Sequence, residues 1–156
     1  MNAGWIDQHF IEFLMRVAVS LLCGCLVGLE RELRGKPTGM RTCVLICLGT
    51  ALFVRLGVVL SAVDGSKGDA SRVLGQVVTG IGFLGAGVIM AHGESIRGVT
   101  TAAVVWILAA TGALIGSGKD AEAIAISIVT VAILVILDHV ERIIQRLRGT
   151  PPTDRG

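Results

Sequence analysis

The chain is cut into apolar stretches long enough to cross a lipid bilayer. Two of them, Val73 to Ala91 and Val99 to Gly116, hold no formal charge at all. A helix needs about 20 apolar residues to span the hydrocarbon core, and the 156 residues hold five such spans with short turns between them. We place them at about 10–29, 42–63, 73–91, 99–116 and 121–137. The expected fold is all-α: a five-span polytopic membrane domain over residues 1–140, followed by a short polar cytoplasmic tail over residues 141–156. Composition agrees, with 53% hydrophobic and 17% charged residues and 21 glycines; soluble domains are nearer a quarter charged, and membrane helices are richer in glycine. The first apolar run ends in charged residues rather than in a small-residue cleavage site, so it is expected to stay in the mature protein.

The loop from Gly28 to Thr42 carries six charges, four of them basic, between charge-free runs on either side (Val17 to Leu29 and Thr42 to Val54). A short basic loop of this kind marks the cytoplasmic turn of a transmembrane hairpin. Counting Lys and Arg by alternate loops gives nine on that side (Arg31, Arg34, Lys36, Arg41, Arg97, Arg142, Arg146, Arg148, Arg155) and three on the other (Lys67, Arg72, Lys119). The expected orientation is therefore N-terminus outside and C-terminus in the cytoplasm. A net charge of +2 and 4% aromatic residues argue against nucleic acid as a partner.

An internal repeat is visible. Gly28 to Gly39 and Gly87 to Gly98 are equal steps, and Thr42 and Thr101 follow the second glycine of each at the same distance. It predicts that spans one and two and spans three and four form two hairpins of the same orientation, related by an axis along the membrane normal, with the fifth span added.

Span three contains G-x-G-x-x-G at Gly80, Gly82 and Gly85, followed by Gly87. Without a preceding strand and a soluble βαβ context this is no dinucleotide site. It reads instead as a groove for close helix approach, as does the pair Gly24 and Gly28 in span one. Bulky substitutions at Gly82 or Gly85 are expected to harm assembly more than one at Gly65.

The candidate polar residues fall at two levels. Arg16 and Arg55 each lie about 20 Å from the loop-side end of their span. They either snorkel outward, with Glu12 beside Arg16, or join Asp69, Arg72 and Gln76 in a polar core. At the cytoplasmic end, Glu30, Arg31 and Arg41 close spans one and two; Glu30 with Arg41 is the expected clamp, while Arg34 and Lys36 are expected in a solvated loop. Cys23, Cys25, Cys43 and Cys47 are expected near the cytoplasmic face as small packing residues, since their spacing is not that of structural zinc. No nucleophile–base or metal-ligand signature is present, so neither enzyme activity nor a cofactor is expected.

Taken together, Gly28-Leu29-Glu30-Arg31-Glu32, Gly39-Met40-Arg41-Thr42, Asp69-x-x-Arg72-x-x-x-Gln76, the run Gly80 to Gly87 and Arg97-Gly98-Val99-Thr100-Thr101-Ala102-Ala103 resemble the membrane domain of the MgtC/SapB family. The match runs from about Arg16 to Trp106. The resemblance implies a bacterial inner-membrane protein linked to low-magnesium adaptation and, in pathogens, to survival inside host cells. It implies a non-enzymatic regulator that contacts another membrane protein, such as a P-type or F-type ATPase; self-association in the bilayer is the other expected partnership. A small-solute or ion transporter or channel is the alternative. Better-known members add a cytoplasmic domain of the ACT type, which is not expected in a sequence ending at Gly156.

Overall fold

The computed structural model describes residues 3–64, 69–92 and 95–148. Lys67 and the tail from Gly149, Arg155 included, lie outside the described residues. Five helices are long and apolar enough to cross a membrane: α1 (Ala3–Leu33), α2 (Met40–Asp64), α3 (Asp69–Val88), α4 (Val99–Gly116) and α5 (Asp120–Arg148). A two-stranded hairpin, β1 (Met90–His92) with β2 (Ser95–Arg97), separates α3 from α4. The protein is an all-α polytopic membrane protein built from two helical hairpins, α1–α2 and α3–α4, and a fifth helix.

The turns follow from local chemistry. Glycine in the left-handed conformation ends α1 at Gly35 (φ 65°) and follows α4 at Gly118 (φ 82°). In both turns the next amide reaches back to the helix: Lys36 N–H donates to the Arg31 carbonyl at 3.0 Å, and Lys119 N–H to the Leu114 carbonyl at 2.9 Å. This pairing satisfies carbonyls that a helix end leaves orphaned. Pro37, lacking an N–H, prevents α1 from resuming.

Several expected boundaries shift, α1 running over Ala3–Leu33 rather than 10–29. Span three is expected to reach Ala91, but α3 stops at Val88 and residues 90–92 pair antiparallel with residues 95–97, Met90 opposite Arg97. Glycine-rich ends are poor helix formers, and Gly85-Ala86-Gly87 stand where α3 stops. The tail is expected from Glu141, yet α5 continues to Arg148. Residues 141–148 contain no Gly or Pro, and pairs one turn apart support them: Asp138 with Arg142 at 3.0 Å and Gln145 with Glu141 at 3.3 Å. Such pairs each add a few tenths of a kcal/mol, roughly 0.2–0.5.

α4 sits at the centre. It contacts all four other helices, and 56% of its apolar stretch is buried, the highest share of the five. Val105, Leu108 and Ile115 of α4 are fully enclosed with Val27, Cys23, Cys43 and Cys47. The α2–α4 seam is in backbone contact. A Cβ at Gly112 would collide with the Cys47 carbonyl and stand 2.8 Å from the Thr50 Cβ; one at Gly116 would stand 2.6 Å from the Ala51 carbonyl. Advancing from Gly112 to Gly116 moves the contact from Cys47 to Ala51, so α2 and α4 run parallel.

Candidate functional site

The charged residues form two groups at opposite ends of the bundle. At the end where α1 meets α2, Glu30 and Arg31 are 7% and 3% exposed, the most buried charges among the described residues. Arg31 Nε donates to Glu30 Oε2 at 2.9 Å. Arg34 Nε lies 2.6 Å from Glu30 Oε1, and its Nη1 meets the Asp138 carboxylate of α5. Arg142 completes the chain from the far side of Asp138 at 3.0 Å. A buried carboxylate flanked by two guanidiniums is stable only as part of such a set, because either sign left alone in low dielectric is strongly disfavoured. The array ties the end of α1 to α5.

This corrects the expected clamp. Glu30 pairs with Arg31 and Arg34, while Arg41 is exposed and not among its partners. Arg34, expected in a solvated loop, bridges two helices instead. The neighbouring Glu32 stands apart from this array, and its Oε2 accepts the Met40 N–H at 3.0 Å. A carboxylate there satisfies an orphan donor of α2 and faces the positive end of its dipole. Thr38 is buried, and its carbonyl lies 3.7 Å from the Cys43 thiol. Thr101 is fully buried in the first turn of α4, and its hydroxyl has no hydrogen-bond partner among the described residues. Thr111 donates to the Ile107 carbonyl one turn back; at Thr101 the residue one turn back, Arg97, lies in β2 rather than in the helix. Thr100 is exposed.

At the opposite end, Arg16 Nη1 donates to the Gly116 carbonyl at 3.0 Å. A cation at the last carbonyls of α4 satisfies an orphan acceptor and opposes the negative end of the helix dipole. Glu12, expected beside Arg16, instead approaches Arg55 of α2 at 3.8 Å.

Two members of the expected polar core, Arg16 and Gln76, lie on different contacts. Arg16 closes the end of α4, whereas Gln76 lines an open groove between α2 and α3. Arg72 is exposed on α3; Asp69 opens α3, and its side chain lies outside what is described. The glycines divide as well. A Cβ at Gly24 or Gly28 would fall 2.6 Å from the Cα of Val44 or Met40, so α1 and α2 touch through their backbones there. At Gly80, Gly82 and Gly87 it would meet nothing within 4 Å, and at Gly85 only ordinary contacts with Ala102 and Trp106 at 3.8 and 3.9 Å. Within the chain, the run in span three therefore makes no close backbone contact. The Cys23, Cys43 and Cys47 thiols are buried and form no disulfide.

Sequence reasoning missed Asp138, Gly112 and Gly116. The signals were present: Asp138 is the first charge after the apolar run of α5, and Gly112 and Gly116 share the spacing of Gly24 and Gly28.

The family model described as the MgtC family matches residues 17–143, a range that contains the α1–α2 turn, the ion-pair array and all of α4. The chain belongs to the MgtC family. It is 44% identical over 129 residues to the Escherichia coli K12 protein named "Putative magnesium transporter YhiD", covering 79% of this chain and 59% of that one. It is 36% identical over 144 residues to "Protein MgtC" of Salmonella typhimurium LT2, covering 92% of this chain and 59% of that protein. The chain thus spans about three-fifths of the length of these relatives. No solved structure matches it.

Proposed function

We propose that this MgtC-family protein is a non-enzymatic regulator of ion and magnesium homeostasis in the bacterial inner membrane. It acts by helix–helix contact with other membrane proteins, an ATPase being the partner class that the family resemblance implies. The N-terminus lies outside and the C-terminus in the cytoplasm, as the nine-to-three distribution of Lys and Arg favours.

The observation that carries this reading is the closed seam at the bundle centre. α2 and α4 meet backbone to backbone at Gly112 and Gly116, and Val105, Leu108 and Ile115 fill the space beside it. The buried hydroxyls of Ser20, Thr111 and Ser127 each donate to a carbonyl of their own helix. Glu30 is committed to two arginines. A magnesium path requires hard oxygen ligands in near-octahedral array, usually with one or two carboxylates. Arg16 and Arg55 would further oppose a divalent cation in low dielectric.

The YhiD name favours a second reading, in which the two helical hairpins form a transporter or channel. Vesicles loaded with a Mg²⁺-sensitive dye separate the two. Pure protein under an imposed gradient should give no saturable uptake above protein-free vesicles. Saturable uptake abolished by Gln76→Ala or Asp69→Asn would overturn the regulator and establish transport.

A further inference from the structure

α3 carries the least apolar membrane-spanning stretch of the five and is also the least covered. Its most apolar stretch has a mean hydropathy of 1.2, against 1.9–2.5 for the other four, yet only 11% of it is buried against 17–56%. A solitary bundle in lipid would do the reverse, turning its most apolar helix outward, as α5 does with a hydropathy of 2.5 and 17% burial. Beside α3, between it and α2, runs an open groove of about 580 Å³, with Phe53 and Gln76 on its walls. The two antiparallel helices touch at Gly57 and Val73, so Gly49 of α2 comes level with Gly80 of α3. Both line the groove, and a Cβ at either meets nothing within 4 Å. Gln76 is exposed there, about 10 Å along α3 from its first residue.

A primary amide facing hydrocarbon is unfavourable unless its donors and acceptor are paired. Acyl chains could fill the groove but could not pair the amide; a helix bearing the right polar group does both. We propose that the α2–α3 groove is the interface between two copies of this chain, with α3 of each seated on the groove of the other about an axis along the membrane normal. Both copies share one topology, so their α3 helices run parallel and Gln76 meets Gln76. An amide is donor and acceptor at once, so the same residue satisfies it across a twofold axis. The glycine floor lets the axes approach closely enough for interhelical dispersion and hydrogen bonding, which drive association in lipid.

The test is energy transfer between donor- and acceptor-labelled full-length chains in phosphatidylethanolamine–phosphatidylglycerol vesicles, over a range of protein-to-lipid ratios. The parent should associate as a dimer. Gln76→Leu and Gly80→Leu should each move half-association to about tenfold higher protein-to-lipid ratio. Both have room within one chain, so helicity and thermal unfolding should match the parent. Ile133→Leu on the exposed face of α5 should shift nothing. The proposal is overturned if the parent is monomeric throughout, or if neither variant weakens association. It is also overturned if the groove proves to retain a phospholipid that Gly80→Leu expels, or if it binds only a different membrane protein.

Discussion

Gly112→Ala tests the α2–α4 seam directly. The added methyl group would collide with the Cys47 carbonyl oxygen and stand 2.8 Å from the Thr50 Cβ and 3.1 Å from the Ala51 nitrogen. Carbon atoms rest at roughly 3.5–4.0 Å, so the helices must separate by about 1 Å. Two of the three neighbours are backbone atoms, and no rotamer change relieves them. Overpacking of this kind costs about 1–3 kcal/mol, and a gap of that width forfeits a quarter to a half of each contact's dispersion along the seam. Alanine recovers up to about 1 kcal/mol of helix propensity, which leaves a net loss of about 2 kcal/mol. Gly82→Ala carries the same propensity gain into open space and should be neutral or stabilising by up to about 1 kcal/mol. The two variants should therefore differ by about 3 kcal/mol, roughly two decades in the unfolding equilibrium. Steric trapping in bicelles measures that equilibrium in a bilayer. If Gly112→Ala falls within about 0.5 kcal/mol of Gly82→Ala, the backbones are not in contact and the closed centre of the bundle is wrong.

Glu30→Ala should cost about 3–5 kcal/mol in the same assay, because it leaves Arg31 buried without its partner, and adding Arg31→Met should recover part of the loss. Arg142→Ala, on the exposed side of Asp138, should cost under about 1 kcal/mol. Arg16→Met should cost about 1–3 kcal/mol by orphaning the Gly116 carbonyl, and protease sensitivity should rise at the α4–α5 turn. Reporter fusions after Arg41, after Gly98 and at the C-terminus should report cytoplasm and one near Lys67 the far side; a C-terminus on the far side would overturn the orientation.

The helices themselves were legible because lipid imposes a strong constraint: a backbone that cannot bond to solvent must bond to itself over the bilayer thickness. The five apolar runs each yield a spanning helix. Their ends were less legible. The α3 boundary depends on a hairpin pairing Met90 with Arg97, and such a contact has no period in sequence. The continuation of α5 to Arg148 rests on propensity and on i, i+4 pairs, which a hydropathy reading discards. The ion-pair partners were missed for a related reason. Glu30 and Asp138 lie on the first and last helices, and only the packing of α1 on α5 brings Arg34 between them.

The glycines carry the sharper lesson: residue type and spacing placed Gly24 and Gly28 against a neighbouring helix correctly, whereas Gly80, Gly82 and Gly87 meet nothing within the chain. At about 100° per residue, glycines four apart share a helix face, and both such pairs, Gly24 with Gly28 and Gly112 with Gly116, lie against a neighbouring backbone. Gly80, Gly82, Gly85 and Gly87 are spaced by two, three and two, which turns them around the helix. Gly80 and Gly87 then face one way, and Gly82 and Gly85 roughly the opposite way. Only Gly85 meets a neighbouring helix within the chain. A glycine inside a helix sacrifices up to about 1 kcal/mol of propensity, and at Gly24, Gly28, Gly112 and Gly116 backbone contact offsets it. At Gly80 and Gly87 no contact within the chain does so. A dimer through the α2–α3 groove would supply that contact at Gly80 and pair the Gln76 amide one turn away, so a single interface accounts for both the open glycine and the exposed amide.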